Sequence, residues 1–207
     1  MEPFNRKDHW ESIYSTKQLN EVSWYQPKPE TSLKFIKALN IPKSASIIDV
    51  GGGDSFLVDN LLDLGFSDIT VLDISSNAIE RAKKRLGKMS EQVTFIEADA
   101  SEFNPTKTYD LWHDRAAFHF LTDEREIKNY IQSAEKGIKP SGYMIIGTFA
   151  TDGPTKCSGI EVSQYSEGSL SKKFDHQFKT IACQKVSHKT PFDTIQNFVF
   201  GTFEKKQ

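Results

Sequence analysis

Apolar residues in the central part of the chain follow two spacings, one typical of buried strands and one typical of amphipathic helices. Short apolar runs predict strands at 46–50, 69–74, 93–96, 109–112 and 143–149. Helical spacing predicts intervening helices at 56–64, 77–87 and 123–138. The second of these helices begins where Asn77 and Glu80 have the spacing of a capping box. Strands separated by helices of this length predict a parallel sheet with helices on both faces.

The C-terminal part of the chain has a different pattern. After a predicted helix at 166–174, two strand-like stretches follow at 178–187 and 194–203, and the short segment 189–193 joins them. A linker this short leaves no room for a crossover helix, so the two strands must be antiparallel neighbours. The predicted fold class is therefore α/β, with a mostly parallel sheet that ends in a C-terminal antiparallel hairpin.

The N-terminal segment precedes the first predicted strand and contains Trp10 and Trp24. Apolar spacing predicts an amphipathic helix there, at 31–39. No linker or repeat divides the chain, and 207 residues suit one domain. We therefore expect residues 1–43 to form an N-terminal extension that folds over the domain at 44–207 as part of it.

Composition narrows the classes of partner. Hydrophobic residues make up 37% and charged residues 26% of the chain, a balance typical of soluble globular proteins. The formal net charge of -2 argues against a nucleic-acid-binding protein, and no apolar run has the length of a membrane span or a signal peptide core. Cys157 and Cys183 form no metal-ligand pattern. We expect a cytoplasmic protein, a monomer or weak dimer, with no metal, nucleic acid or membrane among its partners.

A glycine-rich run, Asp49-Val50-Gly51-Gly52-Gly53, ends the first predicted strand. Consecutive glycines let the backbone pass close to a ligand because no Cβ is in the way, and the helix that follows presents free N–H groups. Ligands of such sheets bind outside the carboxyl ends of the strands. A turn of this kind also serves simple packing, so by itself it is weak evidence for a binding site.

Acidic residues at the next two strand ends strengthen the case. Asp73 ends the second strand, 22 residues after Gly51, where a carboxylate can accept both hydroxyls of a ribose. Asp99 and Ala100 follow the third strand, where a short acidic side chain can accept the exocyclic amine of an adenine. Each acid alone could equally be a helix cap. Together the three strand ends favour a cofactor that contains adenosine.

Two adenosine cofactors suit such a sheet. The nicotinamide fingerprint requires a glycine where this chain has Phe56, a poor replacement at a tight helix–strand contact. Asp49, Gly51 and Gly53 instead match the acidic-x-Gly-x-Gly signature of S-adenosylmethionine enzymes. S-adenosyl-L-methionine, with S-adenosyl-L-homocysteine as its product, is therefore the predicted cofactor. An NAD-dependent oxidoreductase and a catalytically silent binding module with the same fold stay as alternatives.

With these motifs the chain resembles the class I S-adenosylmethionine-dependent methyltransferases. The resemblance covers 49–53, 71–75, 97–100, 109–114 and 139–143, and it departs from the longer glycine signature at Ser55. It implies a Rossmann-like, seven-stranded sheet whose last strand is inserted antiparallel, and methyl transfer to a small molecule or a protein side chain. The residues predicted to bind the cofactor are Trp24, Asp49, Gly51, Gly52, Gly53, Asp73, Ile74, Asp99, Ala100 and Asp114.

A narrower resemblance is carried by His9-Trp10-Glu11-Ser12-Ile13-Tyr14, by Ser23-Trp24-Tyr25 and by 112–121. The first two segments look like the entry segment of a methyltransferase subgroup that includes eukaryotic protein-lysine methyltransferases acting on citrate synthase or elongation factor 1A. The stretch 112–121 looks like bacterial members of that neighbourhood. Those lysine enzymes tend to carry Asp-Lys-Gly after the fourth strand, whereas this chain has Asp114-Arg115-Ala116. The chain therefore departs from the lysine-specific pattern at this point.

Catalytic candidates cluster after the fourth strand. Methyl transfer from a sulfonium is an in-line displacement, in which the protein positions the nucleophile and manages one proton. Asp114 is the candidate for orienting the nucleophile or the methionine amine, and His113 and His119 are candidate general bases. His113 and Asp114 should face opposite ways on an alternating strand, so only one of them reaches the site. Trp24 and Tyr25 either lie across the cofactor as a lid or fasten the extension.

Overall fold

The computed structural model describes residues 4–207, so the first three residues of the predicted N-terminal extension lie outside the described part. The helices are α1 (Arg6–Thr16), α2 (Glu30–Ala38), α3 (Leu57–Asp63), α4 (Ser76–Leu86), α5 (Glu124–Gly137) and α6 (Glu167–Phe174). The strands are β1 (Ser46–Val50), β2 (Asp68–Asp73), β3 (Val93–Glu97), β4 (Tyr109–Arg115), β5 (Ile138–Phe149), β6 (Lys156–Cys157), β7 (Ile160–Glu161), β8 (Phe178–Lys189) and β9 (Ile195–Lys205). Short 3-10 turns lie at Leu19–Glu21, Gly87–Gln92 and Phe118–Phe120.

The main sheet has seven strands in the order β3-β2-β1-β4-β5-β9-β8. Strands β1 to β5 pair in parallel, whereas β9 runs antiparallel to both β5 and β8. This confirms the predicted mostly parallel sheet and its C-terminal hairpin. The strand order reverses at β1, which has β2 on one side and β4 on the other, so a crevice opens at the carboxyl ends of β1 and β4.

Two apolar layers cover the faces of the sheet. One is built around Trp112, Tyr130 and Phe174 under α5 and α6, where the Trp112 Nε1–H donates to the Tyr130 hydroxyl at 2.9 Å. The other contains Phe35 of α2, which stacks on Phe200 of β9 with ring centroids 5.3 Å apart. Helices on both faces therefore bury the sheet, as expected of parallel strands. Within residues 4–207, no helix is both long and apolar enough to cross a membrane.

Two strand boundaries and one helix cap differ from the predictions in ways that bear on the site. Strand β4 continues to Arg115, three residues beyond the predicted end, because it stays paired with β1 and β5. Strand β5 begins at Ile138, within the predicted end of the preceding helix. The predicted capping box at Asn77 was wrong: Ser75 caps α4, and its hydroxyl accepts the Ala78 N–H at 3.1 Å.

Helix α1 was not predicted. Its apolar pattern is weak, since Trp10 is its one buried residue, and it begins at Asn5, whose side chain accepts the N–H groups of Lys7 and Asp8. Its position is fixed mainly by polar contacts to α4. The periodicity that predicts amphipathic helices is therefore largely missing from this segment.

Candidate active site

The glycine turn after β1 takes a backbone path that side chains would obstruct. Gly51 and Gly53 have φ angles of 66° and 44°, in the left-handed region that favours glycine. A Cβ on Gly51 would overlap the Cβ of Ala117, and one on Gly52 would lie 2.6 Å from Asp49 Oδ2. The turn therefore lies tightly against the loop that follows β4.

A cavity opens at the carboxyl ends of β1 to β4, with a volume of about 1260 Å³ that includes its solvent-open part. Most of the residues predicted to bind a cofactor line this cavity: Trp24, Asp49, Gly51, Gly52, Asp73, Ile74, Asp99 and Ala100. The fold thus brings together side chains from three successive strand ends. Gly53 lies behind the lining, where a Cβ would approach the Asp73 carboxylate and the Tyr14 hydroxyl.

Asp73 lies at the end of β2 with 5% of its surface exposed. Its Oδ1 accepts the Ser75 backbone N–H at 2.9 Å, and the carboxylate borders the cavity. Burial raises the pKa of Asp73 to about 7, and the negative charge of Asp49 contributes to the rise. A carboxylate so poorly solvated gains from hydroxyl donors that a ligand brings.

Asp99 lies at the neighbouring strand end and already has protein partners. Its Oδ1 accepts the Ser101 amide and hydroxyl at 2.8 and 2.7 Å, and its Oδ2 accepts Nη1 of Arg6 at 2.9 Å. Arg6 also bonds Glu126 at 2.7 Å, so it joins α1 to α5 across this end of the cavity. The Asp99 carboxylate is therefore held in place beside the cavity by α1.

His113 reaches the cavity from β4, but both of its ring nitrogens are engaged. Nδ1 lies 2.7 Å from Asp49 Oδ1 and Nε2 lies 2.9 Å from the Ser32 hydroxyl. Asp114 points to the opposite face, which confirms the predicted alternation. His113 therefore fixes Asp49 beside the glycine turn, and its hydrogen bonds leave neither nitrogen free as a base.

Asp114 is held in the opposite face of the sheet, away from the cavity. Its Oδ1 accepts the N–H groups of Ala117 and Phe118 at 2.9 and 3.2 Å, and its Oδ2 accepts the Tyr130 hydroxyl at 2.7 Å. The side chain is fully buried, and this burial raises its pKa to about 6. The Asp114 carboxylate does not line the cavity, so these contacts give no support to its orienting the nucleophile or the cofactor, which stays a prediction.

His119 is also buried, in the turn that follows β4. Its ring stacks on Phe149 with centroids 4.4 Å apart, and Nδ1 accepts the Phe149 N–H at 3.3 Å. Burial, together with the nearby charge of Arg115, lowers its pKa to about 3. The His119 side chain does not line the cavity and is a poor proton acceptor, so the structure gives no support to its role as a general base, which stays a prediction.

An aromatic half of the cavity lies beyond the glycine turn. It is lined by Trp24, Tyr25, Arg115, Phe120, Phe149 and Phe198. Trp10 of α1 packs edge-on against Phe120 and Trp24, at centroid distances of 5.0 and 5.9 Å. Trp24 therefore lines the cavity and also packs against the N-terminal segment, while its place across the cofactor as a lid stays a prediction.

The sequence analysis missed Arg115 as a site residue. It follows His113 by two positions on β4, and residues two apart on a strand share a face, so both side chains reach the cavity. Ala116, next to it, has a φ of 73°, unusual for a residue other than glycine. Extending the alternation of His113 and Asp114 by one more residue would have identified Arg115.

Glu11 holds α1 against the N-terminal end of α4, beside the cavity. Its carboxylate accepts hydrogen bonds from the Ser75 hydroxyl, the Ser76 amide and hydroxyl, and the Asn77 amide, at 2.7 to 3.1 Å. Burial opposes ionisation of Glu11, but these hydrogen bonds outweigh it and lower the pKa of the carboxyl group. The contact satisfies free N–H groups at the start of α4 and places an anion at the positive end of the helix.

Comparison with known proteins gives one family. The model of the methyltransferase domain matches residues 41–200 of this chain.

Within residues 4–207, no group of three or more His, Cys, Asp or Glu residues is arranged to hold a metal ion.

The chain is similar to several curated methyltransferases. Malonyl-[acyl-carrier protein] O-methyltransferase 2 of Ilyobacter polytropus is 26% identical over 165 residues, which cover 74% of this chain and 62% of that protein. EEF1A lysine methyltransferase 2 of Danio rerio is 27% identical over 157 residues, which cover 68% and 66%. The match to the mouse eEF1A lysine and N-terminal methyltransferase covers 18% of that protein. The chain thus spans less than two thirds of the length of these relatives.

Solved structures share the fold over nearly the whole chain. An S-adenosylmethionine-dependent methyltransferase from Anabaena variabilis has a TM-score of 0.75 at 15% identity, covering 99% of this chain and 96% of that one. The N-methyltransferase NodS from Bradyrhizobium japonicum, in complex with S-adenosyl-L-homocysteine, has a TM-score of 0.72 at 13% identity, covering 98% and 100%. At these identities the likeness is one of fold.

Proposed function

The chain belongs to the methyltransferase domain family and is an S-adenosylmethionine-dependent methyltransferase, and from this premise we propose that it binds the cofactor in the cavity at the ends of β1 to β4 and methylates a small molecule. The observation that carries the proposal is the buried Asp73 carboxylate beside the glycine turn. The cofactor supplies an electrophilic methyl group on a sulfonium.

Asp73 is the proposed acceptor for the two ribose hydroxyls. Its carboxylate borders the cavity, and burial leaves it short of solvent. Two hydroxyl donors would replace that lost solvation and favour the ionised form. NAD also contains ribose, but Phe56 stands where its fingerprint requires glycine, and the family assignment supports S-adenosylmethionine.

The adenine is proposed to lie next to Asp99, between Ile74 and Ala100, which line the same end of the cavity. The two Asp99 oxygens already accept hydrogen bonds but keep lone pairs for an amine donor. Gly51 and Gly52 border the cavity with their backbone, which is the proposed contact for the methionine part of the cofactor. This arrangement directs the sulfonium toward the aromatic half of the cavity.

The aromatic half is the proposed acceptor site. Trp24, Phe120 and Phe198 give it an apolar wall of the kind that small-molecule sites have. Arg115 adds a positive charge, which repels the ammonium group of an incoming lysine. A small molecule therefore fits this half better than the protein lysine that the name of the Danio rerio relative indicates for that protein.

The acceptor class can be tested by incubating the protein with S-adenosylmethionine carrying a labelled methyl group and a cell extract divided by ultrafiltration into small-molecule and protein fractions. The proposal predicts label in the small-molecule fraction and formation of S-adenosylhomocysteine. Label confined to the protein fraction would overturn the proposed acceptor class. The Asp73→Asn variant, run in parallel, should lose most of the transfer in either fraction.

A further inference from the structure

Arg115 is a cation without an anionic partner among residues 4–207. Its Nη1 donates to the carbonyl oxygen of Trp24 at 3.3 Å, whereas Nη2 is buried and makes no hydrogen bond to any of residues 4–207. Among the same residues, no carboxylate lies within ion-pair distance of the guanidinium. A buried donor that lacks an acceptor costs free energy, and a charged one costs more.

The side chains around Arg115 do not neutralise it. The guanidinium lies over the ring of Phe198, 5.0 Å from its centroid. Burial raises the pKa of the Cys157 thiol to about 11 and lowers the pKa of His188, so both are uncharged at neutral pH. Burial also lowers the pKa of Arg115 to about 10, which still leaves it protonated. The positive charge therefore persists in an apolar setting.

The position of Arg115 is that of a substrate-recognition group. It belongs to the aromatic half of the cavity, whereas the proposed ribose and adenine contacts, Asp73 and Asp99, come from the ends of β2 and β3. The Nη2 N–H groups of this guanidinium are free to donate hydrogen bonds to a carboxylate. The aromatic walls beside it suit an apolar body attached to that carboxylate.

We propose that the methyl acceptor is a carboxylic acid with an apolar body, whose carboxylate is held by Arg115 while the body packs against Trp24, Phe120 and Phe198. The proposal rests on the proposed function, because it assigns the aromatic half of the cavity to the acceptor. It does not depend on which atom of the acceptor receives the methyl group.

The binding test uses benzoate and its neutral isostere benzamide as probes, titrated into protein saturated with S-adenosylhomocysteine and followed by calorimetry. We expect benzoate to bind about tenfold more tightly than benzamide, and this difference to vanish in Arg115→Gln and to persist in part in Arg115→Lys. Arg125→Gln removes an exposed positive charge from α5 and is the matched control, in which the preference should stay. Equal affinity of the wild-type protein for the two probes would overturn the proposal, as would tighter binding of phenylphosphonate than of benzoate.

Titration of S-adenosylhomocysteine itself separates this proposal from the one on which it rests. Wild-type protein and Arg115→Gln should bind it with affinities within about threefold of each other. If Arg115→Gln loses that affinity, Arg115 holds the methionine carboxylate of the cofactor, and the acceptor proposal fails while the methyltransferase assignment stands. If the wild-type protein does not bind S-adenosylhomocysteine at all, the proposed cofactor site fails first. A thermal unfolding curve of each variant shows whether it is folded.

Discussion

The surroundings of each buried carboxylate near this cavity decide whether it can contact a ligand. Asp73 and Asp114 both end strands, both are buried, and burial raises the pKa of each. Asp73 borders the cavity, whereas Asp114 is enclosed by Ala117, Phe118 and Tyr130. Two acids with similar sequence contexts therefore differ in access, since one borders the cavity and the other is enclosed by the protein.

Cofactor affinity should depend on pH through Asp73. Its pKa of about 7 means that the free protein holds a proton there at pH 6 and little of one at pH 8. Ribose hydroxyls favour the ionised carboxylate, so binding at pH 6 must first remove the proton. We expect the Kd for S-adenosylhomocysteine, measured by calorimetry, to rise about tenfold from pH 8 to pH 6.

Asp73→Asn is the control for this pH dependence. It should bind more weakly and show a flat profile between pH 6 and pH 8. In the cofactor-free protein the folded carboxyl keeps its proton up to a pKa of about 7, against 3.8 for the ordinary group. Between these two pKa values the unfolded chain loses the Asp73 proton while the folded protein keeps it. The stability of the cofactor-free fold therefore falls as the pH rises from 3.8 to about 7. A wild-type Kd that stays constant over the same range contradicts the account.

Asp114 should matter for stability rather than for cofactor affinity. Asp114→Ala removes the acceptor of two buried N–H groups and of the Tyr130 hydroxyl, which should lower the free energy of unfolding in urea by about 2–4 kcal/mol. Asp114→Asn keeps an acceptor oxygen and should lose about 1 kcal/mol. If Asp114→Asn instead loses affinity for S-adenosylhomocysteine with its stability intact, the structural role is wrong.

The sequence predicts which residues lie at strand ends more readily than which strand face a side chain occupies. Asp73 and Asp99 were predictable because parallel strands place their carboxyl ends along one edge. Strand alternation placed His113 and Asp114 on opposite faces but could not say which of the two turns toward the cavity; the structure turns His113 toward it. Arg115 was missed because apolar spacing ends at residue 112, whereas backbone pairing continues the strand to 115.

At the scale of elements, α1 closes the cavity although its own sequence pattern is weak. Trp10 anchors one side of it and Glu11 caps α4 on the other. Strands and the C-terminal hairpin could be predicted because their apolar runs and short linker leave few alternatives. Helix α1 could not be predicted in this way, because most of its contacts are polar and join it to residues more than sixty positions away.

Removing the Glu11 carboxylate should loosen the packing of α1 over the cavity. Glu11→Ala leaves the Ser76 and Asn77 amides without their acceptor, so we expect a loss of about 1–2 kcal/mol in urea unfolding and faster hydrogen exchange at these two amides. Cofactor affinity should fall as well, because α1 carries Trp10 and Arg6 over the cavity.

Glu91→Ala is the matched control, since Glu91 is an exposed glutamate with its side chain in solvent. It should change the free energy of unfolding by less than about 0.5 kcal/mol. Unchanged exchange at Ser76 and Asn77 in Glu11→Ala would show that the contact does not hold α1 in place.

At the scale of the whole molecule, the strand order decides where a ligand can bind. With β1 between β2 and β4, the glycine turn, Asp73 and the Arg115 side chain all open onto one crevice. The alternation of strands and helices predicts a parallel sheet but not the order of its strands, and the resemblance to the family implied only seven strands with the last inserted antiparallel. The seven-stranded arrangement with its antiparallel β9 agrees with that resemblance.

The central claim is that this crevice binds S-adenosylmethionine, and calorimetry of the wild-type protein with S-adenosylhomocysteine and, separately, NAD tests it most directly. The account predicts saturable one-to-one binding of S-adenosylhomocysteine that weakens at least about tenfold in Asp73→Asn, which loses a charge-assisted hydrogen bond, and no measurable binding of NAD. Binding of NAD without S-adenosylhomocysteine, or binding of S-adenosylhomocysteine that Asp73→Asn leaves unchanged, would contradict it.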